Sequence, residues 1–455
     1  SITEVDTAKR VIKLKVNGQE VMLPLIAVPG MHNDVVAIAV GYGRDAKVGM
    51  AAKSGTDKWG NEIGGKNVYP LTHMVGQTVS YFAPVTIEKT DKTYDLAITQ
   101  THMSSEGRAV VHEFTLEEFA KNPNELLEER KEEIGPFTHQ PWGEEANEES
   151  MHTEPEKAAA AGAAVLLDEE GFRKNATLYP EYVSPGIHWG MSIDLTACTG
   201  CGACVVGCMA ENNVSVVGKR EVMRSHDMHW IRIDRYFSGN PDDPDTIQTI
   251  FQPMMCQHCD NAPCENVCPV SATNHSSEGL NQMAYNRCIG TKYCANNCPY
   301  KVRHFNWLDW NGADCFDDNL YEDYRRDGMN DDLTRMVLNP DVTVRSRGVM
   351  EKCSFCVQRL QDAKLTAKKD GRPMKDGEAK TACQQACASD CIVFGNVNDP
   401  ESAVAQIRKN NKERVFYVLE QIHTLPNVNY LSKIRNTDKI VGGNEATDWM
   451  MKEHI

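Results

Sequence analysis

At 455 residues, with 41% hydrophobic content, the chain is long enough for two or three domains with real cores. It contains no run of about 18 or more apolar residues, so the chain itself is not expected to span a bilayer. A net charge of −16 argues against nucleic acid as a partner and fits an acidic, water-facing surface.

From about Ile12 to Ile98 the sequence is rich in β-branched residues punctuated by Gly and Pro. The run VIKLKVNGQEVMLPLIAVPG predicts a hairpin turning at Asn17-Gly18, a dipeptide that tolerates the positive φ such turns need. This β-rich first domain, residues 1–110, contains no cysteine. Over Thr115–Ile134 the sequence predicts helix interrupted near Pro123, with Thr115 as N-cap and Glu118 as its capping-box partner. An acidic, alanine-rich stretch from Glu144 to Ala164 follows, so residues 111–185 read as a helical segment and an exposed linker. A third domain, residues 186–455, holds all the cysteines. Within it Met228–Phe237 alternates like a strand, Gly312–Arg335 is an aspartate-rich insertion, and Ala367–Ala382 reads as a loop after the helix-like VQRLQDAKLT. ESAVAQIRKN reads as helix, and with RVFYVLEQI it braces the cysteine-rich body. The fold class is α+β. The sequence begins with serine and shows no signal peptide, so a mature product or the downstream part of a longer polypeptide is expected.

The cysteines fall into four frames. The first supplies Cys198, Cys201, Cys204 and Cys208, the second Cys256, Cys259, Cys264 and Cys268. The third repeats the first, with Gly290 matching Gly200, but Thr291 stands where a cysteine is due, leaving Cys288, Cys294 and Cys298. The fourth is stretched over Cys353, Cys356, Cys383 and Cys387. These are 15 of the 17 cysteines, and Cys315 and Cys391 are left as spare buried thiols. In two-cluster ferredoxins the last cysteine of a frame ligates the other cluster. The second and third frames are close in sequence and carry matching prolines, Pro269 and Pro299, so they pair. That gives Cys256, Cys259, Cys264 and Cys298 on one [4Fe–4S] cluster, and Cys288, Cys294 and Cys268 on a [3Fe–4S] cluster. The first and fourth frames then give Cys198, Cys201, Cys204 and Cys387 on one [4Fe–4S] cluster, and Cys353, Cys356, Cys383 and Cys208 on another. A three-thiolate site suits three irons because each thiolate holds one iron. Zinc and disulfides are the plainer readings of such cysteines, but neither explains the repeated four-point spacing.

The segments CTGCGACVVGC, QPMMCQHCDNAPCENVCPV, AYNRCIGTKYCANNCPYKVRHFNW and KCSFCVQRL resemble the four-cluster iron–sulfur subunits of molybdopterin oxidoreductases and of polysulfide or dimethyl sulfoxide reductases. The likeness is strongest to the iron–sulfur subunit of alternative complex III, a bacterial quinol-oxidising respiratory complex. LPLIAVPGMHNDVVAIAVGYGR, followed by Asn67-Val68-Tyr69-Pro70-Leu71, is similar to the C-terminal double-psi-barrel domain of those oxidoreductases. The resemblance implies no molybdopterin in that region, and no catalytic site is assigned to it. It implies an electron-transfer subunit, peripheral on the periplasmic face of the bacterial cytoplasmic membrane. The expected partners are a polytopic quinol-binding membrane subunit near the three-iron cluster, multihaem and monohaem cytochrome c subunits, and a terminal oxidase. The stretch Pro299–Trp310, with Tyr300, Phe305, Trp307 and Trp310, is the candidate docking surface for that membrane subunit. The alternative reading is the electron-transfer subunit of a polysulfide or dimethyl sulfoxide type reductase; a third is a zinc-stabilised scaffold.

Overall fold

The structure is a computed structural model that describes residues 10–32, 34–43, 65–100, 108, 110–134, 186–240, 246–309 and 336–436. The expected linker Glu144–Ala164, the insertion Gly312–Arg335, Trp310 and Cys315 lie outside the described residues. The chain divides into two compact units: residues up to Thr99 with Gly218–Ser225, and Gln100–Val217 with His226 onward.

In the first unit β1 (Arg10–Val16) and β2 (Gln19–Pro24) form an antiparallel hairpin. Its turn is Asn17-Gly18, with φ of 51° and 76°, as the sequence predicts. β3 (His73–Val75) and β4 (Thr78–Ser80) make a separate hairpin, and β5 (Val85–Thr93) joins β1 to give the sheet order β2-β1-β5. Ile12, Leu14 and Val16 are buried on one face of β1. On the other face Lys13 and Lys15 pair with Glu20 and Glu88, as the two-residue period of a strand requires.

The second unit begins with β6 (Glu113–Thr115), α1 (Leu116–Lys121) and α2 (Glu125–Ile134). The Thr115 hydroxyl accepts from the Glu118 amide at 2.9 Å and the Glu118 carboxylate accepts from the Thr115 amide at 2.9 Å, the capping box expected from sequence. These elements are not a free segment ahead of the cysteine-rich body. Leu126 is fully buried, β6 pairs in parallel with a strand near residue 434, and the Arg130 guanidinium donates to both Glu420 oxygens at 2.6 and 2.8 Å.

β7 (Trp189–Asp194) then leads to α3 (Ala203–Glu211), and β8 (Arg232–Ser238) pairs antiparallel with β9 (Gln248–Met254). The strand expected over Met228–Phe237 thus starts four residues later, because Met228 and Trp230 are core residues without strand pairing. α4 (Pro263–Asn266), the hairpin β10 (Thr273–His275) and β11 (Asn281–Met283), and α5 (Tyr293–Asn296) carry the middle cysteines. β12 (His304–Phe305) pairs with β13 (Met350–Glu351). α6 (Val357–Lys369) takes in the first residues of the predicted loop, and α7 (Ala382–Ala386) follows. β14 (Ile392–Asn396), α8 (Ala403–Asn410), β15 (Val415–Phe416), β16 (Val428–Leu431) and β17 (Lys433–Arg435) complete the unit. Four strands form one sheet in the order β14-β7-β16-β15, and β17 is the partner of β6. β7, at its centre, is buried over Trp189–Ile193, and Trp189 stacks on Phe394 at 5.1 Å. One hydrophobic core runs from this sheet to the cysteines themselves.

Candidate metal centres

The cysteine frames sit where chain turns meet short helices. Gly200 has φ +70°, and the Phe251 ring lies 2.5 Å from where its Cβ would stand. Gly290 has φ +75° and the Gly348 carbonyl 2.5 Å from that point, so the glycine shared by the two frames has one steric cause. α3 carries Cys204 and Cys208 one turn apart, both buried, while Cys383 lies on α7 and Cys387 caps it. A Cβ on Gly207 would come within 2.8 Å of the Ala386 side chain, so only glycine lets α3 and α7 approach this closely. That approach brings the ends of the first and fourth frames together.

Several of the buried thiols feel the charge of their cysteine neighbours. Burial, then the charges of Cys198, Cys201 and Cys387, push the Cys204 thiol up to about 11. Burial, then Cys353, Cys356 and Cys383, raise Cys208 well above the ordinary thiol value. Burial, then Cys256, Cys298 and Cys264, do the same to Cys259. Cys268, Cys288 and Cys294 line one small cleft with Thr291, Met283 and Met350. The groups are also neighbours of one another. Cys204 acts on Cys383, Cys256 acts on Cys353, and Arg303 feels Cys264, Cys294 and Cys256.

The sulfurs are surrounded by donors. The amide of Ala272 donates to Cys268 Sγ at 3.2 Å, Met350 to Cys288 at 3.4 Å, Phe355 to Cys353 at 3.4 Å and Ala382 to Cys356 at 3.4 Å. Buried Asn212 donates to Cys208 and Cys356 at 3.6 and 3.7 Å, and Asn281 to Cys264 at 3.7 Å. Donors aimed at sulfur fit anionic thiolates that hold iron, because such bonds tune a cluster. None of the described cysteines is in a disulfide. Among the described residues no three His, Cys, Asp or Glu side chains are placed to hold a single metal ion. A cluster is a larger object, and its thiolates stand further apart because each meets its own iron.

Several contributors escape a reading of spacing alone. Cys391, expected from sequence to be a spare buried thiol, lies 3.3 Å from Cys387 Sγ, and its S–H bond to Cys198 draws that thiol down to about 7. Asn212 follows Cys208 by one helical turn, a signal that α3 offers only once its buried face is known. Lys352, 1% exposed, donates to the carbonyls of Cys353 and Asn281. The docking stretch expected from Tyr300 onward needs correction. Tyr300 is 3% exposed, its hydroxyl bonded to Val418 O at 3.1 Å and to Thr424 at 2.8 Å, which makes it a core residue.

Two family models, each described as a 4Fe–4S dicluster domain, match residues 197–272 and 247–318. The chain is 38% identical over 253 residues to the iron–sulfur cluster-binding subunit of menaquinone reductase from Nitratidesulfovibrio vulgaris, covering 54% of this chain and 89% of the relative. It is 31% identical over 271 residues to Hdr-like menaquinol oxidoreductase iron–sulfur subunit 1 from Archaeoglobus fulgidus, covering 56% and 87%. It is 32% identical over 223 residues to an iron–sulfur subunit described as that of a dimethyl sulfoxide reductase from Halobacterium salinarum, covering 48% and 70%. The frames, the donors around them and these likenesses meet in one assignment: the chain belongs to the family of [4Fe–4S] dicluster iron–sulfur subunits that carry electrons in menaquinol- and molybdoenzyme-type reductase complexes.

Proposed function

We propose that the chain is the electron-relay subunit of a membrane-bound quinol:acceptor oxidoreductase of the alternative complex III type. In this reading three cysteine groups hold [4Fe–4S] clusters: Cys198, Cys201, Cys204 and Cys387; Cys353, Cys356, Cys383 and Cys208; and Cys256, Cys259, Cys264 and Cys298. Cys268, Cys288 and Cys294 hold a [3Fe–4S] cluster. The observation that carries it is the row of neighbouring thiol groups, which begins at Cys198 and ends at the three-cysteine cleft. Bound there, the clusters supply one-electron carriers from one end of the row to the other. The chain's own residues hold each thiolate in place, donate hydrogen bonds to the sulfurs, and keep water away. Iron and sulfide analysis is expected to give three cubanes and one three-iron cluster, about 15 irons per chain. Zinc with negligible sulfide would sink the reading in favour of a scaffold.

Among the described residues no helix is long and apolar enough to cross a membrane, so the quinol site is assigned to a polytopic partner. Ile289 lines the three-cysteine cleft, Tyr293 follows its lining residue Lys292, and Trp307 packs on Lys292; exposed by 64%, 54% and 39%, they form the proposed docking face. Trp307 is held there by stacking on His226 at 4.4 Å and by Lys292 Nζ, 3.8 Å from its ring. Trp307→Glu is expected to weaken association with the membrane subunit by at least about tenfold, roughly 1.4 kcal/mol. Unchanged co-purification of the two subunits would refute this face. The periplasmic location, the cytochrome c partners and the terminal oxidase belong to the same proposal. So does the molybdopterin-oxidoreductase-like barrel reading of the first unit, which stands on its resemblance. The likeness to a dimethyl sulfoxide reductase subunit favours a second reading, a relay running towards a terminal reductase. The subunits that co-purify separate the two.

A further inference from the structure

Arg303 follows the third frame inside the basic run Lys301-Val302-Arg303-His304, which from sequence reads as a solvated face or as packing beside a cluster. Its side chain turns inward and is 6% exposed. Nη1 donates to Cys264 Sγ at 3.4 Å and to Asn281 Oδ1 at 3.3 Å. Nη2 donates to Thr273 Oγ1 at 2.8 Å and to Met283 Sδ at 3.3 Å. Thr273 and Met283 line the same cleft as Cys294, so these bonds hold the guanidinium at its edge. Burial works against its charge, but Cys264, Cys294 and Cys256 outweigh that and hold it above the ordinary arginine value.

The partners missing from this set matter as much. Among the described residues no carboxylate pairs with Arg303, and its Nε has no hydrogen-bond partner. The nearby Glu265 is taken by His275 and by the Asn281 amide, each at 2.5 Å. A buried cation with no anion is strongly unfavourable. The anions that offset it are sulfurs from two different groups, Cys264 of the four-cysteine set and Cys294 of the three-cysteine cleft. Asn281, Thr273 and Met283 fix the plane of the fork so that it spans them.

We propose that Arg303 is a counter-charge shared between the second and third cysteine groups, which raises the reduction potentials of both bound centres together. This rests on the cluster assignment proposed above. A positive charge beside a centre favours its more negative, reduced form, and one charge between two centres acts on both. Lysine could not substitute, because an ammonium is a point charge and lacks the rigid fork that reaches two sulfurs.

The test is a potentiometric titration of the intact complex, following each centre by paramagnetic resonance. Arg303→Gln is expected to lower the midpoints of both centres by a tenfold or greater shift in reduction equilibrium, about 59 mV for one electron. The midpoints of the two remaining centres stay in place. A shift in only one of the pair, or in neither, overturns the proposal. Arg303→Lys decides the matter if the Gln chain fails to load: the two midpoints move by unequal amounts if the fork is shared, because an ammonium reaches only one side, and an unchanged gap refutes sharing. Iron and sulfide counts keep the two readings apart. A wild-type count without three cubanes and a three-iron cluster condemns the cluster assignment, whereas unmoved midpoints in a fully loaded variant condemn the role of Arg303 alone.

Discussion

Thr291→Cys is expected to abolish the resonance of an oxidised three-iron centre near the free-electron value and to raise iron by about one atom per chain. The reason is local. Thr291 already lines the cleft with Cys268, Cys288 and Cys294, and it follows Gly290 as Cys201 follows Gly200. Those two glycines have nearly equal φ, 75° and 70°, so the backbone presents residue 291 as it presents residue 201. A thiolate there completes a four-point set without any rearrangement of the turn. Conversion replaces one type of cluster by another, and cluster type sets the potential, so the midpoint of that centre is expected to move by a tenfold equilibrium shift or more, about 59 mV. Resonance and iron content identical to wild type would show that residue 291 does not decide which cluster forms.

The largest effect on stability is expected at Glu351. It is 1% exposed and accepts from Arg345 at 2.8 Å, Trp230 Nε1 at 3.0 Å and Asn306 Nδ2 at 2.6 Å. Arg345 itself is buried, and its other bonds go to the carbonyls of Asn212, Asn213 and Thr343. Glu351→Ala removes the only carboxylate bonded to that guanidinium among the described residues. Breaking such a pair from one side costs about 3–5 kcal/mol. Lys352 and Cys353 follow directly, so the loss reaches the fourth frame as well. Thermal bleaching of the cluster absorbance is expected about 10 °C lower than in wild type. Glu351→Gln, which keeps an acceptor but not the charge, is expected to fall between the two. A bleaching temperature unchanged in Glu351→Ala would mean the pair contributes nothing.

What the sequence discloses here is local. Asn17-Gly18 names its hairpin, Thr115 and Glu118 name their helix start, and Pro123 marks the break between α1 and α2, because each signal acts within one turn of chain. Long-range pairing leaves no such trace. β7 lies parallel to β16, and β6 to β17, across more than two hundred residues of separation, and no periodicity in either strand points to the other. Tyr300 illustrates the same limit on a smaller scale. An aromatic residue after a cysteine frame suits a docking face equally well, until Val418 and Thr424 turn out to be waiting for its hydroxyl. The electrostatic setting of the sulfurs is illegible for the same reason: Asn212, Asn281 and Arg303 reach them from turns that only the folded chain places nearby.

The close contact of α3 and α7 at Gly207 also imposes an order in time. In the proposed wiring the cysteines of the middle two groups all lie between Cys256 and Cys298, whereas the outer two groups draw on both Cys208 and Cys383, or on both Cys198 and Cys387. As the chain leaves the ribosome, the middle groups can gather while the last third is still unmade. The outer ones must wait for residues near 387, and then close a loop whose entropy grows with its length. Until α7 arrives, α3 presents Cys204 and Cys208 each with one of its three proposed companions missing, and maturation of the polypeptide is therefore expected to proceed from its middle outward.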